Sequence, residues 1–428
     1  MVLKSIKKVL SQNKQLLANF SYLGLIQVIN IVFPLFTIPY LLSVIGSEKY
    51  GLIVFAQSII SYFLILINFG FNLIGTKEIS LHRDNIDKRS EVLNSIQLIK
   101  VILLCICYVI LYVITFFVTD IENNKLLFYF TTYLCIFDVF LPIWYFQGIE
   151  KLQFISIFNL VNKLVFLILI FLFVNKVDDF LLVPVFNGCG ALLACILATY
   201  IIYKKHNNKF FLPKYSAIKY YFNESYIIFI GSVAGKIKMF ANKTILGIVI
   251  DMQTVAYYDI ADKIKQLFVS FLEILTQALF PQVSKTKDPK IVRTSLKVLF
   301  LGSLLVYILS STFLYYVIEI FFPDYQLVVN VFLVLGLLII IQPISYLIAS
   351  VVLVLNNLKK DYTINSYIST FIYLFLLILF YLLAELSLIT ASFSLVVSGF
   401  TSLTLNIYSV KKKGLINWIY LDDKKKNY

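Results

Sequence analysis

The sequence is poor in charge and in the side chains that build catalytic centres. Only 14% of its 428 residues are Asp, Glu, Lys or Arg, whereas soluble domains carry about a quarter. It contains two histidines, His82 and His206, and its five cysteines have no metal-ligand spacing with them. A phosphate-cradling glycine loop, a nucleophile elbow and a metal cluster are all missing from the sequence. These absences argue against an enzyme and predict no cofactor.

Long apolar runs take the place of the missing charge. The chain is 60% hydrophobic with a mean hydropathy of +0.88, and no part is polar enough to form a separate soluble domain. The sequence therefore predicts an all-α integral membrane protein with twelve transmembrane helices, since each run approximates the length that a tilted span needs. The spans are predicted at about 17–43, 52–74, 94–118, 126–146, 154–174, 179–203, 225–250, 261–284, 296–321, 327–355, 362–384 and 387–410.

The net charge of +14 is distributed unevenly between the connecting segments. With the N-terminus inside, most of the 37 basic side chains lie in cytoplasmic segments, and only Lys49, Lys125 and Lys176 lie in outer loops. This positive-inside pattern predicts an even number of spans with both termini in the cytoplasm. The positive charge then faces anionic lipid rather than nucleic acid. Residues 214–225 mix aromatic side chains with lysine, which suits a helix at the lipid headgroups, although a solvated loop fits as well.

Two stretches indicate an internal duplication. "YGLIVFAQSI" at 50–59 opens the second span, and "VAYYDIADKI" at 255–264 opens the eighth. Two six-helix bundles of the same orientation would form a parallel repeat, an arrangement in which transporters place the substrate route between the halves. The predicted organisation is an N-terminal bundle, a connecting segment, a C-terminal bundle with a central cavity between the two bundles, and a basic tail. Their predicted boundaries are, in that order, 1–203, 204–224, 225–410 and 411–428.

Lysines inside the predicted spans are the most informative charges. Lys236, Lys238 and Lys243 share the seventh span, where a lysine near the bilayer centre costs about 2.5–3.5 kcal/mol. Seven residues turn a helix by about 700°, so Lys236 and Lys243 lie nearly on one stripe and Lys238 faces elsewhere. Two interpretations fit these residues: a cationic cavity that binds substrate, or ion pairs that only hold helices together. Lys163 in the fifth span and Lys263 at the start of the eighth are predicted companions.

Amides and carboxyls within the spans complete the candidate site. Asn30 lies on a polar stripe of the first span and Asn242 directly precedes Lys243, so both are candidate substrate-binding residues. Asp138 and Glu273 lie deepest among the acidic residues of the predicted spans. Burial raises a carboxyl pKa and a nearby lysine lowers it, which makes both residues candidates for ion coupling. Pairing with an intramembrane lysine is the alternative for each of them.

Four stretches, spread along the chain, carry a resemblance to a known family. They are "LFTIPYLLSVIGSEKYGLIVFAQSI" at the first outer loop, "NFGFNLIGTKEIS" closing the second span, "PIWYFQGIEKLQ" after the fourth and "VAYYDIADKI" at the eighth. Together with the predicted spans, they resemble the polysaccharide flippases of the multidrug/oligosaccharidyl-lipid/polysaccharide exporter superfamily. The similarity is greatest to the Wzx-type transporters of O-antigen or capsule repeat units.

The resemblance implies a substrate, a location and a mechanism. The substrate would be an undecaprenyl-diphosphate-linked oligosaccharide, moved from the inner to the outer leaflet of the bacterial cytoplasmic membrane. Two bundles would alternate between inward-open and outward-open states, coupled to a H+ or Na+ gradient. The lipid-linked oligosaccharide and membrane lipids are the expected partners, and a glycan polymerase and a chain-length regulator stay open as further ones. The excess of intramembrane lysine agrees with an anionic cargo.

Two other classes of function remain as alternatives. An integral-membrane glycan polymerase or acyltransferase would be expected to need a sizeable outer loop for its catalytic groups, and the predicted outer loops are short. A non-catalytic scaffold for glycan assembly predicts that substitutions of the intramembrane lysines hardly matter.

Overall fold

The chain is helical throughout the part that the structure describes. The structure is a computed structural model, and it describes residues 14–286, 289–321, 323–356 and 358–415. Every regular element in these ranges is a helix, which confirms the predicted all-α class. Most of the predicted basic tail lies outside the described residues.

Nine helical stretches of the described chain are long and apolar enough to cross a membrane. These stretches are Gly24–Leu81, Ile86–Ile114, Lys125–Gly148, Leu152–Phe173, Val177–Lys205, Pro289–Ile320, Pro323–Val354, Lys359–Leu382 and Leu388–Lys412. The first of them contains two of the predicted spans. The predicted seventh and eighth spans are also helical, but they are not among the nine. A polytopic helical membrane fold is thus confirmed, and the number twelve stays a prediction.

The described chain divides into two compact units, Met1–Val233 and Ala234–Tyr428. We call them the N-terminal unit and the C-terminal unit. The helices that begin in the N-terminal unit are α1 Lys14–Asn68, α2 Phe71–Leu81, α3 Ile86–Ile114, α4 Thr119–Asn123, α5 Lys125–Thr131, α6 Tyr133–Phe140, α7 Ile143–Gly148, α8 Leu152–Phe173, α9 Leu182–Tyr200 and α10 Tyr215–Val249. A 3₁₀ turn precedes α9 and a π-helical turn, Ile201–Lys205, extends it. The last helix, α10, continues into the C-terminal unit.

Two glycines shape the N-terminal unit. Helix α1 is bent at Gly46, where φ is 75° and ψ is 168°, a backbone conformation that glycine adopts without steric cost. This bend lies at the predicted first outer loop. At Gly75 on α2, any Cβ would collide with the indole of Trp144 on α7, so the two helices pack closely only because Gly75 has no side chain. Trp144 is buried in an aromatic core with Phe146 and Phe158.

The C-terminal unit is built around the end of α10 and the helix that follows it. Its helices are α11 Met252–Thr286, α12 Pro289–Phe321, α13 Gln326–Leu335, α14 Leu337–Leu347, α15 Lys359–Leu382 and α16 Leu388–Lys412, with a π-helical turn Ile348–Val354 after α14. Helix α11 packs against α13 and α14, and α16 packs against α13, α14 and α15.

The start of α11 differs from the predicted start of the eighth span. The carboxylate of Asp251 accepts a hydrogen bond of 2.6 Å from the backbone N–H of Thr254, which is the usual way to begin a helix. Because the helix begins at Met252 rather than near 261, Asp259 lies inside it together with Asp262, which the predicted span already contained near its start. This earlier start brings one further carboxylate into the helical part of the unit.

Candidate functional site

A cavity of about 560 Å³ lies within the C-terminal unit. Its volume is within the range typical of small-molecule sites. Helices α10, α11, α14, α15 and α16 all contribute to its wall. The charged lining residues are Lys238, Lys243, Asp262, Lys265 and Glu273. Uncharged polar groups complete the lining: Gln266, Gln342, Ser345, Tyr346, Tyr362, Ser398 and Ser402. The cavity therefore brings charged and polar side chains together with apolar ones inside the unit.

Lys238 of α10 is held in this cavity by hydroxyl groups. Its ammonium group donates to the hydroxyl of Ser369 at 3.0 Å and to that of Ser398 at 3.2 Å. Each hydroxyl uses its own hydrogen on a backbone carbonyl, that of Ser366 and that of Ser369 respectively, so each is free to accept from the lysine. Within the described part of the chain, no carboxylate lies within ion-pair distance of Lys238.

Five further charges form a continuous chain of ion pairs between α10 and α11. Lys243 Nζ lies 2.9 Å from Asp259 Oδ1 and 3.0 Å from Asp262 Oδ2. The other oxygen of Asp259 lies 2.7 Å from Lys263, and the other oxygen of Asp262 lies 2.7 Å from Lys265. We call these residues the five-charge network. Three ammonium groups face two carboxylates, so the network carries one excess positive charge.

The centre of the five-charge network is buried and its rim is accessible. The side chain of Asp259 is 2% exposed and that of Lys263 is 39% exposed. A buried carboxylate is tolerated when it is paired and hydrogen-bonded, and here each carboxylate has two lysine partners. Sequence analysis did not single out these two carboxylates, because the predicted span began after Asp259 and placed Asp262 at its very end. Their spacing from Lys263 and Lys265, one helical turn, was the signal that pointed to them.

The orientation predicted for the lysines of α10 is wrong in one respect. Lys238 was expected to face away from Lys243, yet both residues line the cavity. The lining face of α10 is centred on Gly235 and Met239, and the two lysines lie on either side of it, about 140° apart. Long flexible lysine stems reach the same cavity across that angle. Lys236, predicted to share a stripe with Lys243, is half-buried and does not belong to the cavity lining.

The two candidate amides, Asn242 and Asn30, lie in different surroundings. Asn242 is buried, donates to the hydroxyl of Tyr258 at 2.9 Å and to the carbonyl of Ala391 at 3.0 Å, and accepts from Tyr373. All of these bonds would have to break before Asn242 could contact a substrate. Asn30 is exposed on α1. Its role in substrate binding stays a prediction.

The remaining candidates lie in separate surroundings. Lys163 is half-buried on α8 in the N-terminal unit. Asp138 is ion-paired with Lys100, a buried lysine that the sequence did not single out, at 2.8 Å. Of the two predicted ion-coupling residues, only Glu273 lines the cavity. The described residues contain no cluster of His, Cys, Asp and Glu that could hold a metal ion.

A second polar cluster lies where α9 ends. The guanidinium of Arg89 donates to the side chain of Asn208 at 3.0 Å and to the carbonyl of His206 at 2.7 Å. Burial, together with the positive charges of Lys151, Arg89 and Lys205, lowers the pKa of His206 to about 4. His206 is therefore neutral at physiological pH and acts here as a structural group.

Comparison with known proteins relates the chain to polysaccharide transport. A family model described as polysaccharide biosynthesis protein matches residues 16–287. A protein of Escherichia coli K12 described as an O-antigen transporter is 25% identical over 354 residues, which cover 81% of this chain and 85% of that protein. A Shigella dysenteriae protein of the same description is 23% identical over 269 residues, covering 62% and 67%.

Solved structures of similar fold are membrane transporters. An inward-facing MATE family transporter of the MOP superfamily has a TM-score of 0.69 at 12% identity and covers 94% of this chain and 96% of its own. The lipid II flippase MurJ in an inward closed conformation has a TM-score of 0.66 at 15% identity, with 94% and 89% covered. The resemblance found in the sequence is confirmed by the family match together with these similarities.

Proposed function

Because this chain belongs to the polysaccharide biosynthesis protein family, we propose that it is a flippase for lipid-linked oligosaccharides. Its cargo is an undecaprenyl-diphosphate-linked repeat unit, carried from the inner to the outer leaflet of the bacterial cytoplasmic membrane. The described O-antigen transporters of Escherichia coli and Shigella dysenteriae support this cargo class. The similar folds of MurJ and of the MATE transporter support a transport role in general.

The observation that carries the proposal is Lys238 in the cavity of the C-terminal unit. Its partners are two neutral hydroxyls, which leave its positive charge uncompensated at short range. A phosphate oxygen forms stronger, charge-assisted bonds with an ammonium group than a hydroxyl does. The diphosphate of the cargo would therefore displace or join the two serines. The excess positive charge of the five-charge network, on the same cavity wall, adds to the attraction for an anion.

The same cavity also suggests how transport is coupled. Glu273 lines it, and no ion pair to Glu273 is found among the described residues. A carboxylate without a fixed cation partner is able to bind H+ or Na+, so Glu273 is the stronger of the two predicted coupling residues. Alternation of two six-helix bundles around a cavity between them, twelve spans and cytoplasmic termini complete the proposal. These features follow from the charge distribution and the resemblance.

Substitution of Lys238 tests the proposal. In a strain whose only copy carries Lys238→Gln, we expect surface glycan to fall at least about tenfold, since a charge-assisted bond is worth about 1.5–3 kcal/mol. Leaflet-resolved detection should find the lipid-linked intermediate on the cytoplasmic face. Lys125→Gln, which removes an exposed lysine of a predicted outer loop, is the matched control and should export normally.

Each alternative function gives a different result in the same experiment. Repeat units that reach the outer leaflet but remain unpolymerised or unacylated would favour the polymerase or acyltransferase. Normal surface glycan in the Lys238→Gln strain, at normal protein level, would remove Lys238 from the mechanism and favour a scaffold.

A further inference from the structure

The segment between α9 and α10 exposes a compact group of apolar side chains. Phe210 is 80% exposed, Leu212 is 81% exposed and Tyr215 is 76% exposed. Phe210 touches the ring of Tyr203 at its edge, with ring centres 6.4 Å apart, and is otherwise uncovered. Several exposed apolar side chains on one short segment mark a surface that lipid or another molecule covers. We call residues 210–215 the apolar tip.

The base of this tip is pinned to the N-terminal unit. Asn208 is buried and bonds through its side chain to Arg89, Tyr145 and the carbonyl of Ile202. The backbone N–H of Lys209 donates to Ser90 at 2.9 Å. Asn208 and Lys209, the two residues directly before the apolar tip, are thus fixed against the N-terminal unit.

Lysines surround the apolar tip. Between residues 204 and 223 the sequence contains five lysines and no Asp or Glu. Lys209 is ion-paired with Asp87 at 2.8 Å. Lys204, Lys214 and Lys219 are exposed, and within the described chain no carboxylate lies within ion-pair distance of them. A segment that combines exposed apolar side chains with unpaired lysines nearby in the sequence is complementary to a bilayer surface that carries negative headgroups.

From these observations we propose that the apolar tip is a membrane anchor that selects anionic lipid. Phe210, Leu212 and Tyr215 insert at the boundary of headgroups and acyl chains of the cytoplasmic leaflet. Lys204, Lys214 and Lys219 contact the phosphates above them. Because the tip lies directly before α10, the anchor holds the first turn of α10, and with it the helix that carries Lys238 and Lys243, at a constant depth in the bilayer.

Tryptophan quenching in vesicles tests this anchor. The full chain carrying Leu212→Trp is reconstituted into vesicles of brominated phosphatidylcholine, and into vesicles in which brominated phosphatidylglycerol replaces part of that lipid. The emission of the wild-type protein, which contains the two native tryptophans, is subtracted from each measurement. We expect the added tryptophan to be quenched about twofold more when phosphatidylglycerol is present at equal bromine content. Combining Leu212→Trp with Lys204→Gln, Lys214→Gln and Lys219→Gln should abolish that difference.

A matched position shows what apolar exposure alone produces. Phe117 is 82% exposed and lies in a connection without neighbouring lysines, so Phe117→Trp should be quenched equally in both vesicles. If aqueous iodide quenches the tryptophan at position 212 in both kinds of vesicle, the proposal is overturned. The apolar tip would then be a surface that binds a protein partner. Equal lipid quenching with and without phosphatidylglycerol would overturn the selection of anionic lipid. All substituted residues are exposed, so loss of folding is not expected.

Discussion

Each unit of this protein contains a buried group of opposite charges, and the two groups differ in their net charge. In the N-terminal unit, Lys100 is 1% exposed and lies 2.8 Å from Asp138 Oδ2, and its ammonium group also donates to the carbonyl of Asp138 at 3.1 Å. Asn68 donates to the other carboxylate oxygen at 3.1 Å. The two charges of this pair cancel, and each charged group also has a further hydrogen-bond partner. The five-charge network of the C-terminal unit keeps one positive charge in excess.

We expect this difference to separate a structural use of buried charge from a functional one. A balanced pair with all its partners in place has no remaining attraction for an anion, and its main effect is to fix the helices that supply it. A network with one excess positive charge beside a cavity retains an electrostatic attraction for a negative ligand. We therefore expect substitutions in the N-terminal pair to change stability and substitutions in the network to change transport.

The largest expected effect is on the balanced pair. Lys100→Met leaves the carboxylate of Asp138 with only Asn68 as a partner, so we expect the free energy of unfolding to fall by about 3–5 kcal/mol. The measurement is thermal or denaturant unfolding of the purified protein in detergent. The double variant Lys100→Met/Asp138→Leu removes both charges and should recover most of that stability.

The double variant also tests the comparison itself. If Asp138 takes part in ion coupling, Lys100→Met/Asp138→Leu will be stable and yet inactive in glycan export. Such a result would show that the balanced pair is functional and would contradict the division drawn here.

A smaller loss of stability is expected at the centre of the network. Lys243→Gln leaves Asp259 paired with Lys263 and Asp262 paired with Lys265, so both carboxylates keep a partner on α11. We expect the free energy of unfolding to fall by only about 1–2 kcal/mol. We expect surface glycan to fall by a larger factor than protein level, because Lys243→Gln removes both the excess charge and the ion pairs that join α10 to α11. The checks are protein level and surface glycan in the same strain.

Acid sensitivity should come from a group outside both charge clusters. The pKa of His206 is about 4 in the folded protein, below its ordinary value of 6.5. Between these values the unfolded chain binds a proton that the folded chain does not, so stability falls as the pH decreases from 7 to 5. We expect a loss of about 1 kcal/mol, since His206 is only half-buried. His206→Gln should flatten this dependence in unfolding measurements, and an unchanged slope would assign it to the ion pairs instead.

The smallest effect is expected at the rim of the network. Lys263→Gln removes the same formal charge as Lys243→Gln, but the side chain of Lys263 is 39% exposed. Exposed ion pairs of this kind are worth about 0.5 kcal/mol. If export depends on the position of the charge in the cavity wall, Lys263→Gln will export nearly normally. Equal loss of export in both variants would mean that export depends only on the total charge of the five-charge network.

The fold class was predictable because it depends on composition and on the length of apolar runs. These features produced the helical membrane class and the first outer turn at Gly46. The count of spans was harder to predict. Helix α11 begins at an Asp251 cap and contains several charges, so hydropathy located its boundary poorly.

Individual side-chain partners were less predictable. Sequence analysis proposed Lys236, Lys238 and Lys243 together and did not predict that Lys238 would line the cavity without a carboxylate partner. The angular position of a lysine on a helix does not fix where its long side chain ends. Lys100 was missed because its partner, Asp138, is 38 residues away in sequence.

The sequence by itself determined that the chain is helical and that it lies in a membrane, and it predicts which side of the membrane the positive loops favour. These properties are sums over many residues, and an error at one position hardly changes them. Only the tertiary structure decided which charges neutralise one another, because a lysine and a carboxylate must come within about 4 Å to form an ion pair. Lys243 lies beside two carboxylates and Lys238 beside two hydroxyls, a difference of neighbours that the sequence did not reveal.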